Sequence, residues 1–146
     1  MNERLKLENQ LCFPLYACAK EVVRRYTPLL EPFGLTYTQY IAMMVLWEHK
    51  SISVKEMGKR LYLDSGTLTP MLKKMEQSGW LCRKRSDEDE RVVVISITDA
   101  GETLQEMVAD VPIKMAQCLK LESAEALQLY AAHCTPLQIG KSLSCA

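Results

Sequence analysis

A mainly α-helical fold carrying one small β-hairpin is what this sequence predicts, on three observations. Apolar residues recur at three- and four-residue steps along most of the chain. Two short stretches of this kind, the first marked by Val54, Met57 and Leu61 and the second by Leu68, Met71, Leu72 and Met75, are separated by a short turn. The charged run Arg83-Lys-Arg-Ser-Asp-Glu-Asp-Glu-Arg91 then leads into the β-branched Val92-Val-Val-Ile95, which suits a strand better than a helix.

At 146 residues the chain is about one domain long and can bury a core without disulfide or metal staples. Hydrophobic residues make up 48% and charged residues 25%, ordinary values that exclude a disordered chain. There is no run of 18 apolar residues, and the opening Met-Asn-Glu-Arg-Leu-Lys-Leu-Glu lacks the order of a signal peptide. The expected location is therefore the cytoplasm, with no membrane partner. Net charge is zero, but its distribution is uneven: residues 1–54 carry 6 Lys/Arg and 5 Asp/Glu, residues 55–91 carry 9 and 7, and residues 92–146 carry 3 and 6. The middle is the basic part, and four of its acids sit together at Asp87 to Glu90, leaving room for positive potential on one face.

The first helix should run from Asn9 to about Leu30, with Leu11, Leu15, Cys18, Val22, Tyr26 and Leu29 as its buried stripe, and should end at Pro32-Phe-Gly34. Thr36 or Thr38 can cap a second helix reaching about Trp47, whose Tyr40, Met44 and Trp47, with Ile41 and Val45 beside them, read as core. Ser51-Ile-Ser53 is long enough only for a bridging strand. A short helix and a three-residue turn follow, and then a helix ending at Gly79, which suits a left-handed cap. Pro70 removes a hydrogen bond to Gly66 and predicts a kinked or late-starting first turn. Leu81 to Arg85 and Val92 to Ile97 are the hairpin strands. Thr98 caps the next helix, which Leu104, Val108 and Val111 continue until Pro112 interrupts; Ser123 can cap a last one carrying Ala126, Leu127, Tyr130 and Ala131. From Thr135 to Ala146 no period persists, which reads as a loose tail.

Two helices joined by so tight a turn, with a basic hairpin beside them, form a winged helix-turn-helix. In such a unit the second helix enters the major groove with its N-terminal residues nearest the bases. Here Asp64 precedes that helix, Ser65, Thr67 and Thr69 are small enough to approach bases and phosphates, and Lys73 and Lys74 lie further along for phosphate or guanine. Arg91 at the hairpin tip can enter the minor groove, Asp89 can brace its guanidinium or the turn, and Arg83, with Lys84 and Arg85, would flank the backbone. A solvated charge run is the plainer reading of the hairpin taken alone.

The segment Leu63-Asp-Ser-Gly-Thr-Leu-Thr-Pro70 and the wing Asp87-Glu-Asp-Glu-Arg91 resemble the MarR family of winged-helix repressors over residues 9 to about 134. That resemblance implies a homodimer on double-stranded DNA, at a pseudo-palindromic operator with half-sites about one turn apart. It also implies one MarR-type domain over 1–146: a helical dimerisation region at about 1–50 and 98–134, the winged helix-turn-helix at 51–97, and the tail at 135–146.

Leu11-Cys-Phe-Pro-Leu-Tyr16, Tyr26 and Leu35-Thr-Tyr-Thr-Gln-Tyr40 are similar to the organic-hydroperoxide-resistance repressors of that family, OhrR. The resemblance implies a peroxide sensor at Cys12, hydrogen-bonded by Tyr26 and Tyr37, with Cys118 as a resolving thiol from the other subunit or a small thiol in its place. Organic hydroperoxide is then the signal. Cys12 and Tyr26, 14 residues apart on one helix, would be separated by about 21 Å, so they can meet only across a two-fold axis. Pro14 fits the first turn of a helix, which places the start of regular helix near Cys12. The other thiols, Cys18, Cys82 and Cys134, read as structural, and Cys145 as a tail thiol. None of the six cysteines forms a Cys-x-x-Cys pair and only His49 and His133 could join them, so neither metal nor cofactor is expected. Two rival readings are a MarR-type repressor answering to a small phenolic ligand and a thiol peroxidase. The enzyme is disfavoured because residues 54–97 are given over to DNA reading.

Overall fold

The computed structural model describes residues 2–10 and 12–119. Two 3-10 turns, Glu3–Leu5 and Leu7–Asn9, precede helix α1 (Cys12–Leu30), so regular helix begins at the cysteine and Pro14 lies in its first turn. A 3-10 turn at Glu31–Phe33 closes α1, and Gly34 takes the left-handed conformation (φ 69°) that reverses the chain. Helix α2 (Tyr37–His49) opens on a complete capping box: Thr36 accepts from the Gln39 amide while the Gln39 side chain accepts from the Thr36 amide. Strand β1 (Ser51–Ser53), α3 (Val54–Leu61), α4 (Ser65–Gln77), β2 (Leu81–Arg85) and β3 (Val93–Ile97) follow, then α5 (Asp99–Met107) and α6 (Val111–Leu119).

The three strands form an antiparallel sheet in the order β1-β3-β2, with Ile52 opposite Ile95 and Arg83 opposite the same residue on its other side. Ile95 is thus fully buried at the centre of the sheet. Around it lie Met43 and Leu46 of α2, Met57 of α3, Leu68, Leu72 and Met75 of α4, and Leu81 of β2, all essentially solvent-free. This one cluster fixes α4 against the sheet and hence against the hairpin.

Four expectations need correction. On α2 the buried side chains are Gln39, Tyr40, Ala42, Met43 and Leu46, whereas Met44 is 41% exposed. The helix is apolar on nearly every side, so periodicity cannot say which side faces in. The stripe of α1 is not buried along its first half: Leu15 is 63% exposed and Cys18 is exposed as well. Helix α4 starts at Ser65, ahead of Pro70, so the late start does not occur; the Thr69 hydroxyl donates to the Ser65 carbonyl at 2.7 Å in the turn that the proline interrupts. Pro112 ends no helix, because the break comes at Val108–Asp110 and the proline stands second in α6, where its missing amide costs nothing. The helix expected from Ser123 and the tail from Thr135 lie outside the described residues.

Gly101 joins the two halves of the chain. Its carbonyl accepts from Trp47 Nε1 at 2.8 Å, and a Cβ there would overlap the carbonyl of Trp80. Thr98, the α5 cap, donates its hydroxyl to the Gly79 carbonyl. The backbone of α5 at Gly101 thus meets the hairpin root directly and α2 through the Trp47 indole.

Candidate DNA-reading face and thiol sensor

Asp64 caps α4, accepting from the Thr67 amide at 2.9 Å and the Thr67 hydroxyl at 2.8 Å. Ser65, Thr67, Thr69, Lys73 and Lys74 are all exposed. The hydroxyl protons of Thr67 and Thr69 are committed, one to a carboxylate and the other to a carbonyl. Toward a base these threonines can only accept, from adenine N6 or cytosine N4, or offer a methyl to thymine.

The hairpin tip is an ordered turn. Ser86 donates to the Val92 carbonyl at 2.8 Å, Val92 to the Asp89 carbonyl at 2.9 Å, and the Arg91 amide to Asp89 Oδ1 at 2.9 Å. Asp89 therefore braces the turn, and the exposed Arg91 guanidinium remains available. Arg83, expected to flank the DNA backbone, has a partner within the chain: Glu76 of α4 accepts from its Nε at 3.0 Å, its Nη2 at 2.8 Å and its amide at 3.0 Å. This three-point strap ties hairpin to reading helix. Sequence reasoning missed Glu76, because nothing local indicates that residues 76 and 83 face each other.

Hydrogen bonding from Thr67 holds the Asp64 carboxyl below its ordinary value, and bonding from Arg83 does the same for Glu76. A depressed pKa contributes stability above the unfolded value and loses it as pH falls through the folded one. Cap and strap should both persist at neutral pH and fail only in acid, below roughly pH 4. NMR titration of the Thr67 and Arg83 amides reads this directly; a transition near pH 6 would contradict it. Glu76→Ala should weaken duplex binding about tenfold by freeing the hairpin. An affinity within about twofold of wild type would show that the strap does not position the wing.

Between α3, α4 and the hairpin lies a cavity of about 700 Å³, with Val54, Leu68, Leu72 and Val93 on its walls and Lys55, Lys59, Arg83 and Arg91 among its lining. Cationic side chains and apolar walls share one opening beside the reading helix.

The thiol residues fall into two groups. Tyr26 of α1 packs at a tilt against Tyr37 of α2, with ring centroids 4.8 Å apart, and lies 6.0 Å from Tyr40. Burial pushes the Tyr26 phenol above its ordinary value, with Tyr37 adding to the effect, so Tyr26 stays a protonated donor at neutral pH. Helix α6 reaches the same end of α1, where Arg25 Nη1 donates to the Cys118 carbonyl at 3.1 Å. Tyr26 and Tyr37 are in contact and Cys118 lies toward the same end of α1, while Cys12 begins α1 about 20 Å away along the axis. A disulfide needs Cα atoms within about 7 Å, so Cys12 and Cys118 of one chain cannot form one. Along α1 from Cys12, Phe13, Leu15, Tyr16 and, further on, Val23 are between 40% and 63% exposed, and Ile113 of α6 is 60% exposed. Among the described residues there is no His, Cys, Asp or Glu cluster that could hold a metal, and no helix long and apolar enough to cross a membrane.

Helix pair, reading helix and strapped hairpin define a winged helix-turn-helix protein. The family model for the transcriptional regulator SarA/Rot matches residues 24–108. The organic hydroperoxide resistance transcriptional regulator of Bacillus subtilis is 51% identical over 136 residues, 93% of this chain and 92% of that one. Among solved structures, reduced AbfR bound to DNA is 38% identical with a TM-score of 0.77 and 90% of each chain covered. Disulfide-formed AbfR is also 38% identical, with a TM-score of 0.64 and 90% of this chain and 94% of that one covered. The chain belongs to the MarR family of winged-helix transcriptional regulators, in its organic-hydroperoxide-resistance branch.

Proposed function

We propose that this chain is a dimeric, redox-sensing repressor, acting in the cytoplasm, that holds a pseudo-palindromic operator and releases it when Cys12 is oxidised by an organic hydroperoxide. The observation that carries the reading is the separation of Cys12 from Tyr26, Tyr37 and Cys118 along α1. Packing two α1 helices antiparallel across a two-fold axis would bring each Cys12 to the tyrosines of the other chain and would cover Phe13, Leu15 and Tyr16. In this reading residues 1–50 and 98–134 form the dimer and residues 51–97 read DNA through Asp64, Ser65, Thr67, Thr69, Lys73, Lys74 and Arg91, with Arg83 and Asp89 holding the hairpin. The relatives support it by name, one concerning organic hydroperoxide resistance and the others a DNA-bound reduced form and a disulfide form.

The Cys12 thiolate attacks the peroxide oxygen, the O–O bond breaks, and an alcohol leaves with a proton from solvent, giving sulfenic acid. The partner's Cys118 thiolate then attacks that sulfur, so that an S–S bond forms as the S–O bond breaks, and the oxygen departs as water after taking a proton from solvent. In this reading the oxidised thiol acts as a switch on DNA binding and not as a step in an enzyme's turnover, because residues 54–97 are given over to DNA reading. The new covalent bond would shift α1 against α6 and change the spacing of the two reading heads. On a non-reducing gel, cumene hydroperoxide should convert wild type to a linked dimer that a thiol reductant separates. Cys118→Ser should lose the link; a link retained in that variant would remove Cys118 from the scheme.

A second reading, release by a small amphipathic anion, is favoured by the cavity beside α4. Salicylate releasing DNA from Cys12→Ser would support it.

A further inference from the structure

We propose that Tyr62 is a DNA-backbone contact whose hydroxyl donates to a phosphodiester oxygen flanking the half-site. The inference rests on the DNA-binding reading and adds to it a residue outside the reading helix and the wing.

Tyr62 ends α3 in the left-handed region, at φ 55° and ψ 37°. The turn requires that conformation, because the amides of Tyr62 and Leu63 both bond the Gly58 carbonyl. It does not require tyrosine there. A residue with a side chain is strained in this conformation, which glycine adopts freely. The same turn does use glycine where space demands it: a Cβ at Gly58 would stand 2.8 Å from the Leu63 carbonyl oxygen and 3.1 Å from Leu68 Cδ1. Glycine thus occupies the position that crowding dictates, and an aromatic residue the position whose backbone favours glycine.

Packing does not explain the choice either. Tyr62 is 86% exposed, more than any other large hydrophobic side chain among those described as exposed. Local strain kept at a residue that buries almost nothing points to a use outside the fold. Its surroundings indicate the use: Tyr62 stands two residues before the Asp64 cap and shares the lining of the cavity with Lys55, Lys59, Ser65 and Arg91. An anionic oxygen drawn to those cations would find a phenol hydroxyl beside them to donate to it.

The test uses the full-length reduced protein, a fluorescent duplex selected from a random pool by wild type, and an unselected duplex. Tyr62→Phe should bind both about fivefold more weakly, the weight of one hydrogen bond. Both should suffer equally, because phosphates carry no sequence information. The salt dependence should be unchanged, since no cation is removed. Tyr62→Gly should lose at least as much affinity while melting at or above the wild-type temperature. Tyr62→Phe within about twofold of wild type on both duplexes overturns the proposal, as does a loss confined to the selected duplex. A lower melting temperature for Tyr62→Gly would likewise show that the tyrosine serves the fold. If wild type binds no duplex at all, the DNA reading fails and this contact with it; duplex binding that ignores the tyrosine removes the contact alone.

Discussion

Cys12→Ser should bind its operator in the reduced state as wild type does and should no longer let go when an organic hydroperoxide is added. Serine preserves the size of the side chain at the first position of α1, an exposed site whose packing within the chain is slight. It removes the only atom that can take up the peroxide oxygen in the proposed scheme. Wild type should lose affinity on the order of 10³-fold on oxidation, the lower end of the ratio between specific and non-specific DNA binding. The variant should change by less than about twofold under the same treatment. Fluorescence anisotropy on one labelled operator fragment, with and without cumene hydroperoxide, measures both. Undiminished release by Cys12→Ser would remove the sensor assignment, whatever happened to Cys118.

Gly101→Ala should damage the whole molecule. The added methyl would overlap the Trp80 carbonyl and meet Ile97 Cγ1 at 2.8 Å. The first of these obstacles is backbone held in place by the hairpin root, so it cannot swing aside as a flexible side chain would. Over-packing of this kind costs about 3 kcal/mol, more if the backbone must shift. For a chain of this size that lowers the melting temperature by roughly 10 °C. Loss of DNA binding should accompany it, since Trp47, Gly101 and Trp80 set how the hairpin meets the helices behind it. Gly79→Ala makes a useful contrast: its φ of 78° is unfavourable for alanine but nothing lies within 4 Å, so the cost should be nearer 1 kcal/mol. A melting temperature for Gly101→Ala within about 2 °C of wild type would contradict the crowding account.

The parts of the fold that were legible in the sequence are those whose signals are local. Thr36 and Thr98 cap helices because a hydroxyl reaches an amide three residues on, and Gly79 ends a turn because of its own φ. Bridging strand, tight turn and hairpin follow from the same kind of cue. Met43 and Met44 could not be told apart in this way, because α2 offers apolar side chains all round and only its neighbours decide which are covered. Pro112 was misread for a related reason: a proline marks a helix boundary without saying on which side the helix lies. At the candidate site the reading helix was legible from its small polar residues. The Glu76–Arg83 strap and Tyr62 were not, the first because it is a tertiary pairing and the second because a left-handed tyrosine leaves no trace in composition.

The 14-position step from Cys12 to Tyr26 on one helix has a further meaning in the proposed dimer. Each sensor draws its sulfur from one chain and its tyrosines from the other. Cells carrying only Cys12→Ser, or only Tyr26→Ala, would have no intact sensor. Cells carrying both as separate copies would make mixed dimers with one sensor doubly broken and one whole. Mixed dimers purified away from the two homodimers should therefore release DNA on oxidation, which neither homodimer does and which could not happen if the sensor were built within a single chain.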